Sequence, residues 1–361
     1  MNHTLYVTGV ESKEHLKSRI EELFIKSTNN LAWLHPGELV LIKPALNSAH
    51  PYPSTTHPLV VQVIKKILKD RGAKVVIGDQ SGLRSVLHQP SGMLHGNSRD
   101  NYIQSGMGKD GRDFIAFEEY GWNDGFVHYQ SQKTTSWPNG FYITRWIDKT
   151  DHIINLPRIS THTQAGATLG LKNMIGFLRD DSRMEYHANG PYNYLIKFNA
   201  RKSSLKSFDD RSGKFLEKIV EISDAVRNKL RLTLFVADRA QTTFGPDSQT
   251  LKLGKLKIAK AHVSIINPGL LLASQDPVVA EAAAMAILKH LRKKTPLKAK
   301  IYERIILFSS YNVHEVDKLA IPDHPYIQHA VKIGMGKLPS QIVYEHVSNA
   351  LKDELNDLLH I

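Results

Sequence analysis

Cysteine is absent from the 361-residue chain. Disulfides, zinc–thiolate sites and a cysteine-held iron–sulphur cluster in this chain are excluded with it, and a reducing compartment is allowed. No run of about 18 apolar residues occurs, so no membrane span is expected. The opening residues, MNHTLYVTGVESKEH, lack a basic segment followed by an apolar core. No signal peptide is therefore expected, and the chain reads as cytoplasmic. Negative charge is the scarcer sign: 35 Asp and Glu stand against 47 Lys and Arg, a formal net charge of +12. That balance favours anionic partners such as phosphorylated metabolites, nucleotides, nucleic acid or a membrane surface, or it marks a soluble protein that is simply basic. Much of the excess lies in Lys289–Arg304 (KHLRKKTPLKAKIYER) and Leu251–Lys260 (LKLGKLKIAK). Neither interleaves aromatics with its basic residues as a base-stacking platform would.

Two familiar motifs are also missing. The tetrapeptide Gly-Met-Gly-Lys occurs at Gly106–Lys109 and Gly334–Lys337, but no Ser or Thr follows either lysine and the leading glycine of a phosphate loop is absent. The 18 histidines include no pair at helical metalloprotease spacing with a glutamate between. His50, His57, His152 and His162 could converge on a divalent metal, but nothing local requires it. There is no repeat of solenoid length.

What is present has the rhythm of an α/β protein. Glu38–Lys43, His57–Gly72 and Lys74–Gly78 form a strand–helix–strand unit whose crossover suits a parallel pair. Thr4–Val10, Asp151–Leu156 and Leu232–Ala237 read as further strands, and Glu11–Asn29, Phe215–Leu230 and Pro277–Leu291 as helices. Ala261–Ile266 and Leu270–Ser274 read as a hairpin, Tyr302–Phe308 as a strand, and Pro325–Ile333 and Ser340–Leu359 as closing helices. The segment 81–139 is an irregular insertion, a lid or a surface elaboration. The expected fold is two α/β lobes, 1–225 and 226–361, with a mainly parallel Rossmann-like sheet, helices on both faces and a ligand cleft between the lobes.

Candidate functional residues gather where strands end. Lys43 closes one strand, and Thr55 and Thr56 precede the next helix, where hydroxyls and free amides suit an anion; the alternative is an ordinary helix cap. Asp79 and Ser81 follow the neighbouring strand at the same edge and could meet ribose hydroxyls, a metal or a nearby lysine. His162 and Lys172 are the leading pair, an imidazole for acid or base work and a lysine to hold an anion or deliver a proton. Thr168 and Lys172, four apart, are expected on one helical face with Asn173 beside them. Asp238 and Asp276, each at a strand end, are candidate partners for Lys172 or a metal, or helix caps.

Several of these segments together resemble a known family, the uncharacterised group catalogued as domain of unknown function 362. They are Ile42-Lys43-Pro44 with the Thr-Thr-His-Pro loop, Ile77–Gly82, Asn155-Leu156-Pro157 leading to Thr161-His162, and Leu171–Gly176. Val236-Ala237-Asp238 leading to Gly245-Pro246, and Ala273–Val278, complete the set. Some members of that group carry ferredoxin-type clusters, and this sequence has no cysteine to hold one. Ser160 stands where the family usually has lysine, and Glu281 where it usually has aspartate. The family is more distantly similar to lactate racemases that use a nickel-pincer nucleotide, in which a histidine and a lysine ten residues later face cofactor and substrate. His162 and Lys172 keep that interval. The resemblance implies two lobes with a cleft and leaves a nucleotide-type cofactor or a divalent metal open.

The function expected from these residues is acid–base proton transfer, of racemase or isomerase type, on a small anionic or phosphorylated substrate. The alternative is a non-catalytic protein that binds nucleotides or nucleic acid through its basic surface.

Overall fold

A computed structural model describes residues 3–188, 201–205, 214–245, 250–253, 256–267, 269–306 and 311–360. Two sheets and the helices around them position the site. In chain order the elements that frame the site begin with β1 (Thr4–Val10), α1 (Leu16–Ser27), β2 (Leu39–Pro44), α2 (Pro58–Asp70), β3 (Lys74–Asp79), β4 (Phe114–Ala116) and β5 (His152–Leu156). There follow β6 (Ser160–His162), β7 (Gly166–Thr168), α3 (Gly170–Asn173), α4 (Asp180–Ala188), α5 (Phe215–Glu221), β8 (Leu230–Val236) and β9 (Arg239–Gln241). Towards the C-terminus the elements that frame the site are β10 (Val263–Ile265), β11 (Gly269–Ser274), α6 (Pro277–Lys294), α7 (Leu297–Ile306), α8 (Pro325–Lys332), β12 (Gln341–Glu345) and α9 (Asn349–Leu359).

The main sheet has the order β12-β1-β11-β8-β5-β2-β3-β4. Every strand but β11 runs in one direction; β11 pairs antiparallel with both β1 and β8. Central strands such as β2 (LVLIKP) and β5 (HIINL) are apolar on successive residues because helices cover both faces. Val40, Ile42, Ile154, Leu232 and Leu234 pack against the apolar stripes of α1 and α2. Their neighbours Leu41, Ile153 and Phe235 point the other way, into a core shared with α6, α8 and α9. Strands from both sides of residue 225 join this one sheet, with β5 beside β8.

The second sheet, β7-β6-β9-β10, grows from the first. β6 follows β5 after Pro157-Arg158-Ile159, and β9 follows β8 after Ala237-Asp238, so neighbouring parallel strands carry their chains into it together. In the 81–139 insertion, β4 extends the main sheet, and Trp137 is buried with its indole N–H donating to Lys218 O at 3.1 Å.

Several elements differ from the expectations. Residues 261–274 are not a hairpin: β10 pairs with β9 in the small sheet, while the wholly apolar β11 inserts between β1 and β8. The segment expected as a strand from Tyr302 is helix α7 up to Ile306; Leu307 and Phe308 lie outside the described residues, as do residues 206–213 and Pro268. Ser340–Leu359 is a strand and a helix rather than one helix. His346 in a left-handed conformation ends β12, and Ser348 caps α9 by accepting from Leu351 N. The helix from Phe215 keeps α geometry only to Glu221 and runs on as a 3-10 turn to Ala225.

Candidate active site

The C-terminal ends of β2, β3, β5 and β8 share one edge of the main sheet, the edge where parallel sheets place ligands. Lys43 ends β2 fully buried, and its Nζ lies 2.7 Å from Asp79 Oδ1 at the end of β3. Asp79 also accepts from the N–H groups of Leu46 and Gln80, each at 2.8 Å. The lysine donates to Pro44 O at 2.9 Å and stacks 5.4 Å from the Phe177 ring centre. Gly176 makes room for the pair, since a Cβ there would lie 1.9 Å from Asp79 Oδ1 and 2.6 Å from Lys43 Nζ. Lys43 is therefore paired inside the fold with Asp79.

The two threonines also face inward. Thr56 Oγ1 accepts from Ala45 N at 2.7 Å and donates to Leu156 O, and Thr55 Oγ1 donates to His50 O at 3.0 Å. His57, not a threonine, caps α2, its Nδ1 accepting from Leu59 N at 3.2 Å. Ser81 is tied to Ser98 and Asn101.

His162 and Lys172 lie on adjoining elements. The expected helix through Thr168 is instead a hairpin: Gly166, at φ +77°, turns β6 back into β7, and Thr168 pairs with Ser160. Thr168 and Lys172 thus share no helical face, because α3 begins only at Gly170. That short helix is pinned on both sides. Glu281 from α6 accepts from Leu171 N at 2.8 Å, and Asn155 at the end of β5 donates to Gly170 O at 3.2 Å. Asn173 donates to Asn155 Oδ1 at 2.8 Å.

Lys172 is only 8% exposed and, among the described residues, makes no hydrogen bond or ion pair. Burial, then the guanidiniums of Arg158 and Arg183, lower its pKa to about 7. His162 is equally buried, and its Nδ1 accepts the N–H groups of Gln164 at 3.1 Å and Ala165 at 3.2 Å. Those donors fix the ring proton on Nε2 and oppose the imidazolium. Burial foremost, then Lys172, His187 and Arg158, hold its pKa well below the usual histidine range. His187 on α4 is pushed down to about 3 by burial and Lys172, although its Nδ1 lies 2.7 Å from Arg183 O. Arg183 is locked by the carbonyls of Leu178, Ser81, Gln80 and Gly176 and lies 3.7 Å from Asp180. Burial raises the Asp180 carboxyl to about 7.

Two expected members lie elsewhere. Asp238 ends β8 at the same edge, but its hydrogen-bond partners are Tyr52 and Arg239. Asp276 follows β11, the one reversed strand, and so stands at the opposite edge. There it caps α6 through Val278 N (2.7 Å) and Val279 N (3.2 Å), and binds His3 (2.6 Å) and Lys337 N (3.0 Å).

Arg158 and Arg183 were not among the candidates read from sequence. Arg158 sits between a strand end and His162, which was a usable signal; Arg183 lies in a polar, aromatic stretch that offered none. Among the described residues no group of three His, Asp or Glu side chains is placed to hold a metal ion, and no helix is long and apolar enough to cross a membrane.

A mainly parallel α/β sheet with a cationic cluster at its C-terminal edge defines the class of protein. The family described as "Domain of unknown function (DUF362)" matches residues 40–286, more than half of the chain, and the chain belongs to that family. No curated protein matches the sequence. Four solved chains match, among them the lactate racemase apoprotein from Thermoanaerobacterium thermosaccharolyticum, at 14% identity and a TM-score of 0.39. The match covers 72% of this chain and 54% of that one, so the chain spans about half of that structure's length.

Proposed function

We propose that the chain is an enzyme that moves a proton on a small anionic substrate, with Lys172 as the base. The observation that carries this is the state of Lys172: buried, without a partner among the described residues, and brought to about pKa 7 by burial and two guanidiniums. An amine tuned to that value is largely neutral just above neutrality and can accept a proton from carbon or oxygen.

The surrounding charge supports an anion. Lys43 is paired with Asp79, whereas Lys172 and Arg158 both act on His162, and Arg158 and Arg183 both act on Lys172. His162 then has a narrower part than acid or base. With Nδ1 occupied by two backbone N–H groups, its Nε2–H is a hydrogen-bond donor that steadies negative charge developing on the substrate.

The test is proton exchange. The protein is incubated in D2O with a panel of 2-hydroxy and 2-amino carboxylates and sugar phosphates, and deuterium uptake at carbon is followed by NMR. Exchange by the wild type should fall by about 100-fold or more in Lys172→Ala. Its rate should rise with pH through about 7, the side on which Lys172 is deprotonated, and then level off. Exchange by a folded Lys172→Ala at the wild-type rate would remove the proposal, and so would its absence across the panel.

A further inference from the structure

The basic run Lys289–Arg304 plays no part in the site above. It forms the end of α6 and most of α7, and α7 presents its apolar side outward. Leu297, Ile301 and Ile305 recur every fourth residue and are 69%, 47% and 65% exposed, with Tyr302 beside them at 39%. Residues at that spacing form one stripe along a helix. The opposite side of α7 is the anchored one. Glu303 is buried, accepts from Phe244 N at 2.9 Å and pairs with Arg292 at 2.9 Å. Arg292 is held in turn by Asp317 at 2.7 Å. Thr295, at the joint between α6 and α7, donates to Leu291 O at 3.0 Å and bonds Thr242 at 2.8 Å. These contacts fix the rotation of α7, so the stripe cannot turn inward without breaking a buried ion pair.

Positive charge frames the stripe. Lys293, Lys294, Lys298 and Arg304 are exposed and Lys300 is half-buried. The acid of α7, Glu303, faces inward, and the outer acids close by pair with cations of α6: Asp317 lies 2.7 Å from Arg292 and Glu354 3.7 Å from Lys293. An apolar stripe between cationic flanks is the pattern of a helix that lies in a membrane interface, where apolar side chains enter the acyl boundary and cations meet lipid phosphates. A second copy fits poorly, because a two-fold contact would set these cations against each other. Nucleic acid would use the cations but would leave the stripe exposed.

We propose that α7 is a docking surface for an anionic lipid bilayer, which the chain meets peripherally. The full-length protein is sedimented with phosphatidylcholine vesicles with and without phosphatidylserine, at low and high salt. Binding is expected only with the anionic lipid, and it should weaken as salt rises. Ile301→Glu with Ile305→Glu should lower the bound fraction at least about tenfold, and Lys298→Ser with Arg304→Ser to a similar extent. All four positions are exposed, and circular dichroism checks that the variants remain folded. No binding to the anionic vesicles overturns the proposal, as does binding that ignores the isoleucine changes. A dimer that Ile301→Glu with Ile305→Glu dissolves overturns it in favour of self-association. Duplex DNA binding that needs Lys298 and Arg304 but not the isoleucines, without vesicle binding, overturns it in favour of nucleic acid.

Discussion

Lys43 and Lys172 are both buried and burial lowers the pKa of each, but among the described residues only Lys43 has a carboxylate within ion-pair distance. Lys43 has Asp79 at 2.7 Å, and both groups are almost wholly buried. Removing one partner of such a pair strands the other charge, so Asp79→Asn should destabilise the fold by about 3–5 kcal/mol, read from urea unfolding. Replacing both together, as in Lys43→Met with Asp79→Leu, should recover part of that loss; no recovery would mean that the backbone bonds from Leu46 and Gln80 to Asp79 dominate. Gly176→Ala tests the same spot from another side. Its Cβ would overlap the carboxylate, and a loss of about 3 kcal/mol is expected; an unfolding curve like that of the wild type would show that the pair can shift aside. The sequence put both residues at neighbouring strand ends, but not which charges cancel. That depends on side-chain reach across two strands and on a glycine from a third segment. Arg158 and Arg183 were missed because their effect on Lys172 comes from convergence in space.

At the scale of elements, α3 is four residues long and cannot be stable alone. Its position comes from Glu281, which takes the N–H of Leu171, and from Asn155 and Asn173. Burial raises the Glu281 carboxyl from 4.5 to about 7. The native state therefore binds this proton more tightly than the unfolded chain does. Stability from this group is full below about pH 4.5 and falls as pH rises towards 7, then stays level. Asp180, also raised to about 7, acts in the same direction. Glu281→Gln keeps a carbonyl oxygen for Leu171 N and cannot ionise. Between pH 4.5 and 7.5 it should lose less stability than the wild type, by up to about 3 kcal/mol; parallel curves would show that the carboxyl titrates normally. Long periodic elements such as α1, α2 and α6 were legible, because their apolar stripes or caps are local. The β6–β7 hairpin was not: it is three residues a side, and Ala167, Leu171 and Ile175 imitate a helix across its boundary. The segment from Tyr302 was misread because Ile305-Ile306-Leu307-Phe308 is a consecutive apolar run, and the helical spacing of Leu297, Ile301 and Ile305 shows only over a longer window.

Across the whole molecule, the two ends of the chain close the fold together. β1 lies between β12 and β11, so the first strand is sealed by nearly the last. Asp276 binds His3, the start of α6 and Lys337 N at one point, and Gly336 comes so close that a Cβ would lie 2.0 Å from its Oδ1. α9 adds Leu355 and Leu359 to the core that includes Leu288 of α6. Ending the chain after Pro339 would remove β12 and α9 together. The parallel pairing of Thr4–Thr8 with Gln341–Glu345 would go, leaving β1 with open N–H and C=O groups beside newly bared apolar surface on α6. An unprotected edge strand next to exposed core is a template for self-association. The truncated chain should therefore scatter light in proportion to its concentration, and its β1 amides should exchange with D2O much faster than those of β2 and β5, whose neighbours are intact. A monomeric truncation with β1 amides as protected as in the full chain would mean that the pairing of β1 with β11 alone suffices to hold the edge.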